Sequence, residues 1–116
     1  VRRDNGEKTV VSLDNLEEEV ARLLEAVRDG LYNKALANRT EKTYEATTLE
    51  EMIEIADTKP GFIKAMWCED RACEEALKEK AGVSSRCMPF EQDKISDKCV
   101  CCGKPAKQMV FWGKAY

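Results

Sequence analysis

The sequence predicts an α+β fold: a small antiparallel sheet packed with helices and stapled at its cysteines, preceded by a hairpin and a long helix from a neighbouring domain. Three observations predict it. Apolar residues recur at helical spacing from Leu16 and again after Thr48, and a further helix is expected from about Asp70. Short strand-like runs at 62–67, 83–88 and 107–114 alternate with those helices. Of six cysteines in 116 residues, four fall into two pairs, Cys68 with Cys73 and Cys99 with Cys102.

Residues 1–13 read as a hairpin. Asp4-Asn5-Gly6 is a turn signal, because Asn and Gly tolerate the positive φ of tight turns. Two strands alone cannot bury a core, so this hairpin is expected to belong to a sheet whose other strands lie elsewhere. The chain begins with Val1, and the reading is of an excised piece of a longer protein.

A long helix is expected from Asp14, with Asp14 and Glu17 at capping-box spacing, to about Asn38. Leu16, Val20, Leu23, Leu24, Val27 and Leu31 form one stripe of it, and Gly30 weakens it locally. Residues 39–44 are polar and connect. Thr48 and Glu51 form a second capping box, opening a short helix that Lys59-Pro60-Gly61 stops. After the strand at 62–67, Cys68 sits just outside it. Cys73 falls in the first turns of a helix from about Asp70 to Ala81, with Gly82 as its C-cap. A strand at 83–88 closed by Pro89, a polar loop at 91–98 and a last strand at 107–114 complete the chain. The domain boundaries follow: 1–13, a terminal hairpin; 14–43, a connecting helix and linker; 44–116, a C-terminal domain hung on the cysteines.

Charge is unevenly spread. The net charge is −3, yet residues 94–116 carry five lysines and one aspartate. An acidic body with a basic end is compatible with a local contact to RNA phosphate, but on charge alone a solvated surface is the favoured reading. There is no histidine. That removes histidine-based acid–base chemistry and every histidine metal ligand from this chain. No apolar run approaches membrane-spanning length.

Six cysteines admit three readings. Disulfides suit loop-rich scaffolds of oxidising compartments, whereas this chain has long capped helices. A redox pair wants a helix N-terminus after the first thiol, whereas Gly103-Lys104-Pro105 and a strand follow here. A metal site suits the paired spacing. Cys99 and Cys102 bracket a tight turn, and Gly103 frees the backbone to aim amide N–H groups at the sulfurs. Cys68 and Cys73 supply the other half, giving four soft ligands for tetrahedral Zn²⁺. Such a site is closed, and therefore structural. Cys99 with Cys101 would make a tighter clip; Cys102 is favoured because Gly103 follows it. Cys87 reads as a small buried hydrophobe. A staple also makes physical sense, since about seventy residues bury only a modest core.

Several stretches resemble a known family. They are Gly61-Phe62-Ile63-Lys64-Ala65-Met66-Trp67-Cys68, Arg86-Cys87-Met88-Pro89-Phe90, the run from Cys99 to Lys107, and the ending Phe111-Trp112-Gly113-Lys114-Ala115-Tyr116. Together they are similar to the C-terminal region of prolyl-tRNA synthetases of the archaeal and eukaryotic type. Residues 1–8 resemble the last hairpin of the anticodon-binding domain in that family, and residues 31–35 the helix that follows.

The resemblance implies a cytoplasmic class II ligase that activates proline with ATP and Mg²⁺ and esterifies it to tRNA(Pro). Its catalytic domain and most of its anticodon-binding domain would precede Val1. The present chain would be its non-catalytic zinc-binding domain, with Cys68, Cys73, Cys99 and Cys102 as the ligands. The resemblance also implies that Tyr116, at the C-terminus, approaches the active site. Partners would be the parent's own catalytic and anticodon-binding domains, tRNA(Pro) and a second copy of the parent, with no membrane. The competing reading is a stand-alone zinc-stapled RNA- or protein-binding module using Lys104, Lys107 and Lys114. A metal-free redox protein, with a reactive Cys99/Cys102 pair, is the third.

Overall fold

The computed structural model describes residues 1–115. The chain divides into two compact units, Val1–Thr40 and Glu41–Tyr116.

In the first unit the Asp4-Asn5-Gly6 turn forms. Gly6 N–H donates to Arg2 O at 2.9 Å and Arg2 N–H to Glu7 O at 2.8 Å. The flanking residues make no strand ladder, so the expected hairpin is a turn without strands. Its anchor is Arg2, whose guanidinium grips Asp4 and donates to Ala26 O at 3.3 Å on the following helix. The helix start also differs from expectation. Ser12, not Asp14, caps the chain here, accepting from Asp14 N–H at the head of a 3₁₀ turn, Leu13–Asn15. Helix α1 then runs Leu16–Glu41, three residues past the expected end. None of its residues is buried; Leu24 and Leu31 of the apolar stripe are more than half exposed.

The second unit is a four-stranded sheet under two helices. Its elements are β1 (Thr43–Glu45), α2 (Leu49–Thr58), β2 (Phe62–Trp67), α3 (Arg71–Ala81), β3 (Val83–Cys87) and β4 (Gln108–Lys114). Strand order is β1-β2-β4-β3. The sheet is mixed rather than wholly antiparallel. β1, a segment the sequence presents as a polar connector, pairs parallel to β2 with Thr43 opposite Phe62. Because α2 carries the chain back along the sheet, β2 re-enters in the direction of β1, as a crossover requires.

The expected caps form. Thr48 and Glu51 make a reciprocal capping box at α2. Asp70 accepts from Ala72 N–H at the start of α3, and Gly82 closes α3 in the left-handed conformation. α2 and α3 lie on one face of the sheet. Their Met52, Leu77 and Ala81 meet Ile63, Ala65, Val83, Val110 and Trp112 in one buried cluster. Trp67 packs edge-on to Trp112 at its margin.

On the opposite face Met66 and Met109 are paired in register and buried. The chain between β3 and β4 is fastened there by Gln92. Its Oε1 accepts from Met109 N–H at 2.6 Å, and its amide donates to Pro89 O at 2.7 Å. Cys87 is exposed, not buried as expected. A register shift between Ser85 and Cys87 breaks the alternation of β3 and leaves Cys87 off the core face.

Candidate metal centre

Two turns meet at the end of the sheet where β2 finishes and β4 begins. The first follows β2 and delivers Cys68, then Cys73 from the first turn of α3. The second carries Cys99 and Cys102. Gly103 N–H donates to Cys99 O at 2.9 Å, and Cys99 N–H to Lys104 O at 2.8 Å. Gly103 takes φ +70°, which lets the chain turn under the sulfurs. Two backbone hydrogen bonds tie this turn to the end of β2: Val100 N–H to Met66 O at 2.9 Å and Lys107 N–H to Trp67 O at 2.8 Å.

The sulfurs of Cys68, Cys73, Cys99 and Cys102 all lie within 4.8 Å of one another. Cys68 Sγ is 3.7 Å from both Cys73 Sγ and Cys102 Sγ. These are not disulfides, which need about 2.05 Å. They match the edge of a tetrahedron of sulfurs about 2.3 Å from a central zinc, which is about 3.8 Å. Cys101 does not join the cluster. It packs against the apolar core beside buried Val100, so the middle of the turn is a hydrophobic plug and its two ends carry the sulfurs.

The electrostatics of the four thiols differ. Burial pushes the Cys73 thiol well up, and the neighbouring sulfurs add to this. Burial also raises Cys68, against a lowering contribution from the Asp70 N–H. Cys102 is pulled down to about 7, first by the Lys104 N–H that faces its sulfur. Four thiolates this close repel one another, and a divalent cation at their centre offsets that repulsion. The donor set therefore fits one soft tetrahedral ion, with no ligand position left over for substrate.

The structure thus brings together Cys68, Cys73, Cys99 and Cys102, and turns Cys101 and Cys87 elsewhere. Tyr116 lies outside the described residues. Sequence reasoning passed over Glu69, a side-chain-bearing residue at φ +66° between Cys68 and Asp70. Its carboxylate accepts from Lys107 Nζ at 3.1 Å and from the amide of Gln108. No local sequence signal marks a positive φ at glutamate.

A small α+β domain with a four-cysteine cluster able to hold one metal ion is the class that fold and site define. Residues 49–116 match the family described as prolyl-tRNA synthetase, C-terminal, and the chain belongs to that family. Along all 116 residues it is 64% identical to a proline–tRNA ligase of Clostridium novyi (strain NT), of which it covers 24%. It is 62% identical to proline–tRNA ligase 2 of Bacillus thuringiensis subsp. konkukian (strain 97-27), again over 24% of that protein. A crystal structure of prolyl-tRNA synthetase from Cryptosporidium parvum, complexed with L-proline and AMP, superposes on the whole chain with a TM-score of 0.90. The two are 31% identical, and the match takes in 25% of that chain. The chain thus spans about a quarter of the length of the relatives it matches.

Proposed function

We propose that this chain is the structural zinc-binding C-terminal domain of a prolyl-tRNA synthetase, held shut by Cys68, Cys73, Cys99 and Cys102. The intact enzyme activates proline with ATP and Mg²⁺ and attaches it to tRNA(Pro), in the cytoplasm and as a homodimer. The observation that carries the metal reading is the 3.7 Å spacing of Cys68 Sγ from two partner sulfurs. Membership of the family carries the enzyme reading. No helix of the described residues is long and apolar enough to cross a membrane.

The division of labour proposed is residues 1–13 for the end of the anticodon-binding domain, 14–43 for a connector and 44–116 for the zinc-binding domain. For the second boundary, the break between the two compact units at Thr40 and Glu41 lies close by, and an α1 with no buried residue suits a connector. The unburied stripe is the face on which α1 would meet the rest of the parent. Tyr116 reaching toward the parent's active site belongs to the same proposal and rests on the likeness of the terminal residues. A stand-alone RNA-binding module fits less well. Of the five lysines in 94–116, Lys94, Lys107 and Lys114 each sit on a carboxylate, of Asp97, Glu69 and Asp57.

Elemental analysis with thiol titration tests the metal reading. One zinc per chain, with four thiols protected until a chelator removes it, is expected. No metal and six freely reactive thiols would overturn it. The same preparation should give no proline-dependent pyrophosphate exchange, since catalysis is assigned to another domain of the parent.

A further inference from the structure

The two halves of the cysteine cluster have the same backbone design. In each, the residue after a cysteine takes a left-handed conformation, Glu69 at φ +66° after Cys68 and Gly103 at φ +70° after Cys102. In each, the next N–H faces the sulfur, that of Asp70 toward Cys68 and that of Lys104 toward Cys102. Glycine adopts this conformation without strain, whereas a residue with a Cβ does so at a cost. One half keeps glycine and the other holds glutamate.

A residue kept where glycine would fit better is expected to do something with its side chain. Here the Glu69 carboxylate reaches across to the chain that leaves the other half-site. It meets Lys107 Nζ at 3.1 Å and the Gln108 amide at the start of β4. Alongside, Lys107 N–H donates to Trp67 O, one residue before Cys68. Lys107 is therefore held by backbone to the first half-site and by side chain to Glu69.

We propose that Glu69 is a positioning residue for the metal: with Lys107 it forms a clasp that holds the two half-sites together and slows release of the ion. The inference rests on the zinc-binding reading above. Outer groups that fix the ligands of a metal commonly change its affinity by about 10–100-fold when removed. This clasp is part-exposed, with side-chain exposures of 36% for Glu69 and 64% for Lys107, so its effect should sit at the low end and weaken in salt.

The test follows zinc release from the loaded full chain into excess chromogenic chelator. It compares wild type with Glu69→Gly, Glu69→Gln, Lys107→Met and the double variant Glu69→Gly/Lys107→Met. Cobalt-loaded samples, read by their thiolate charge-transfer absorption, report whether four sulfurs still bind. Glu69→Gly should release zinc about tenfold faster at low salt, although it removes backbone strain. Lys107→Met, which leaves the Glu69–Gln108 bond in place, should be faster than wild type but no faster than Glu69→Gly, and the double variant should be no faster than Glu69→Gly. Wild-type release should speed up with salt while the variants stay flat. Glu69→Gln keeps the side chain's shape and should be faster than wild type without the salt dependence, which covers a glycine variant that fails to fold. Release from Glu69→Gly at or below the wild-type rate would overturn the clasp, as would additive effects in the double variant. A wild-type chain that takes up no zinc overturns the metal reading itself, and the clasp with it.

Discussion

Gly61 lies directly against the carbonyl of Lys42: a Cβ on Gly61 would stand 2.1 Å from Lys42 O. That carbonyl accepts from Phe62 N–H at 2.8 Å, the bond that starts the pairing of β1 with β2. Gly61 itself has φ +155°, a conformation L residues rarely adopt. Gly61→Ala therefore meets backbone, which cannot swing aside as a flexible side chain can. We expect a loss of about 2–4 kcal/mol in urea unfolding of the zinc-loaded chain. A loss under about 0.5 kcal/mol would show that the β1–β2 junction relaxes freely.

At α2 the Thr48–Glu51 box is complete. Thr48 Oγ accepts from Glu51 N–H at 3.3 Å, and Glu51 accepts from the Thr47 and Thr48 N–H groups. Thr48→Ala should cost about 1 kcal/mol. The Thr47 N–H, followed by its hydroxyl, holds the Glu51 carboxyl below its ordinary value of 4.5. A lowered folded pKa stabilises the fold fully above the unfolded value and loses that contribution as pH falls through the folded one. The stability gap between wild type and Glu51→Gln should thus be constant at neutral pH and close as the pH drops below about 4.5. A gap that widens on acidification would contradict the box.

These two sites mark the limits of what the sequence makes legible. Thr48, Glu51, Asp70 and Gly82 signal their roles locally, and α2, α3 and β2 fall close to where those signals put them. The four clustered cysteines were also readable, because spacing within each pair is a local property. β1 was not. Three residues, Thr43–Glu45, carry too little pattern, and their partner lies across a crossover. The same holds for Cys87, whose exposure follows from a bulge against β4. The turn at Asp4–Gly6 was legible, but whether strands flank it depends on neighbours beyond the turn. Glu69 was invisible because glutamate gives no local sign of a positive φ and its carboxylate's partners, Lys107 and Gln108, lie nearly forty residues away.

Cys101 and Cys102 are neighbours with opposite surroundings, and variants separate them. Cys102→Ser should lower zinc content well below one per chain and shift the cobalt spectrum toward fewer thiolates, because its sulfur lies 3.7 Å from Cys68 Sγ. Cys101→Ser should keep full zinc and lose about 1–3 kcal/mol of stability, because it places a hydroxyl against the apolar core. Metal loss from Cys101→Ser with retention in Cys102→Ser would reverse the ligand assignment.

Cys73, Leu77 and Ala81 recur every fourth residue along the buried face of α3. Leu77 is fully enclosed, so truncating it leaves a cavity between α3 and the sheet. Leu77→Ala should cost about 2–5 kcal/mol in the zinc-loaded chain. Because Leu77 lies one turn beyond Cys73, the looser helix should also let Cys73 depart from the sulfur cluster more often, and zinc transfer to a chelator should accelerate. The exposed neighbour Lys78 is the control: Lys78→Ala alters the helix with almost no change in packing, and should leave stability and release within about 0.5 kcal/mol of wild type. Equal acceleration by both variants would trace release to general fraying of α3. Acceleration by Leu77→Ala alone would locate the control in the packing beneath Cys73.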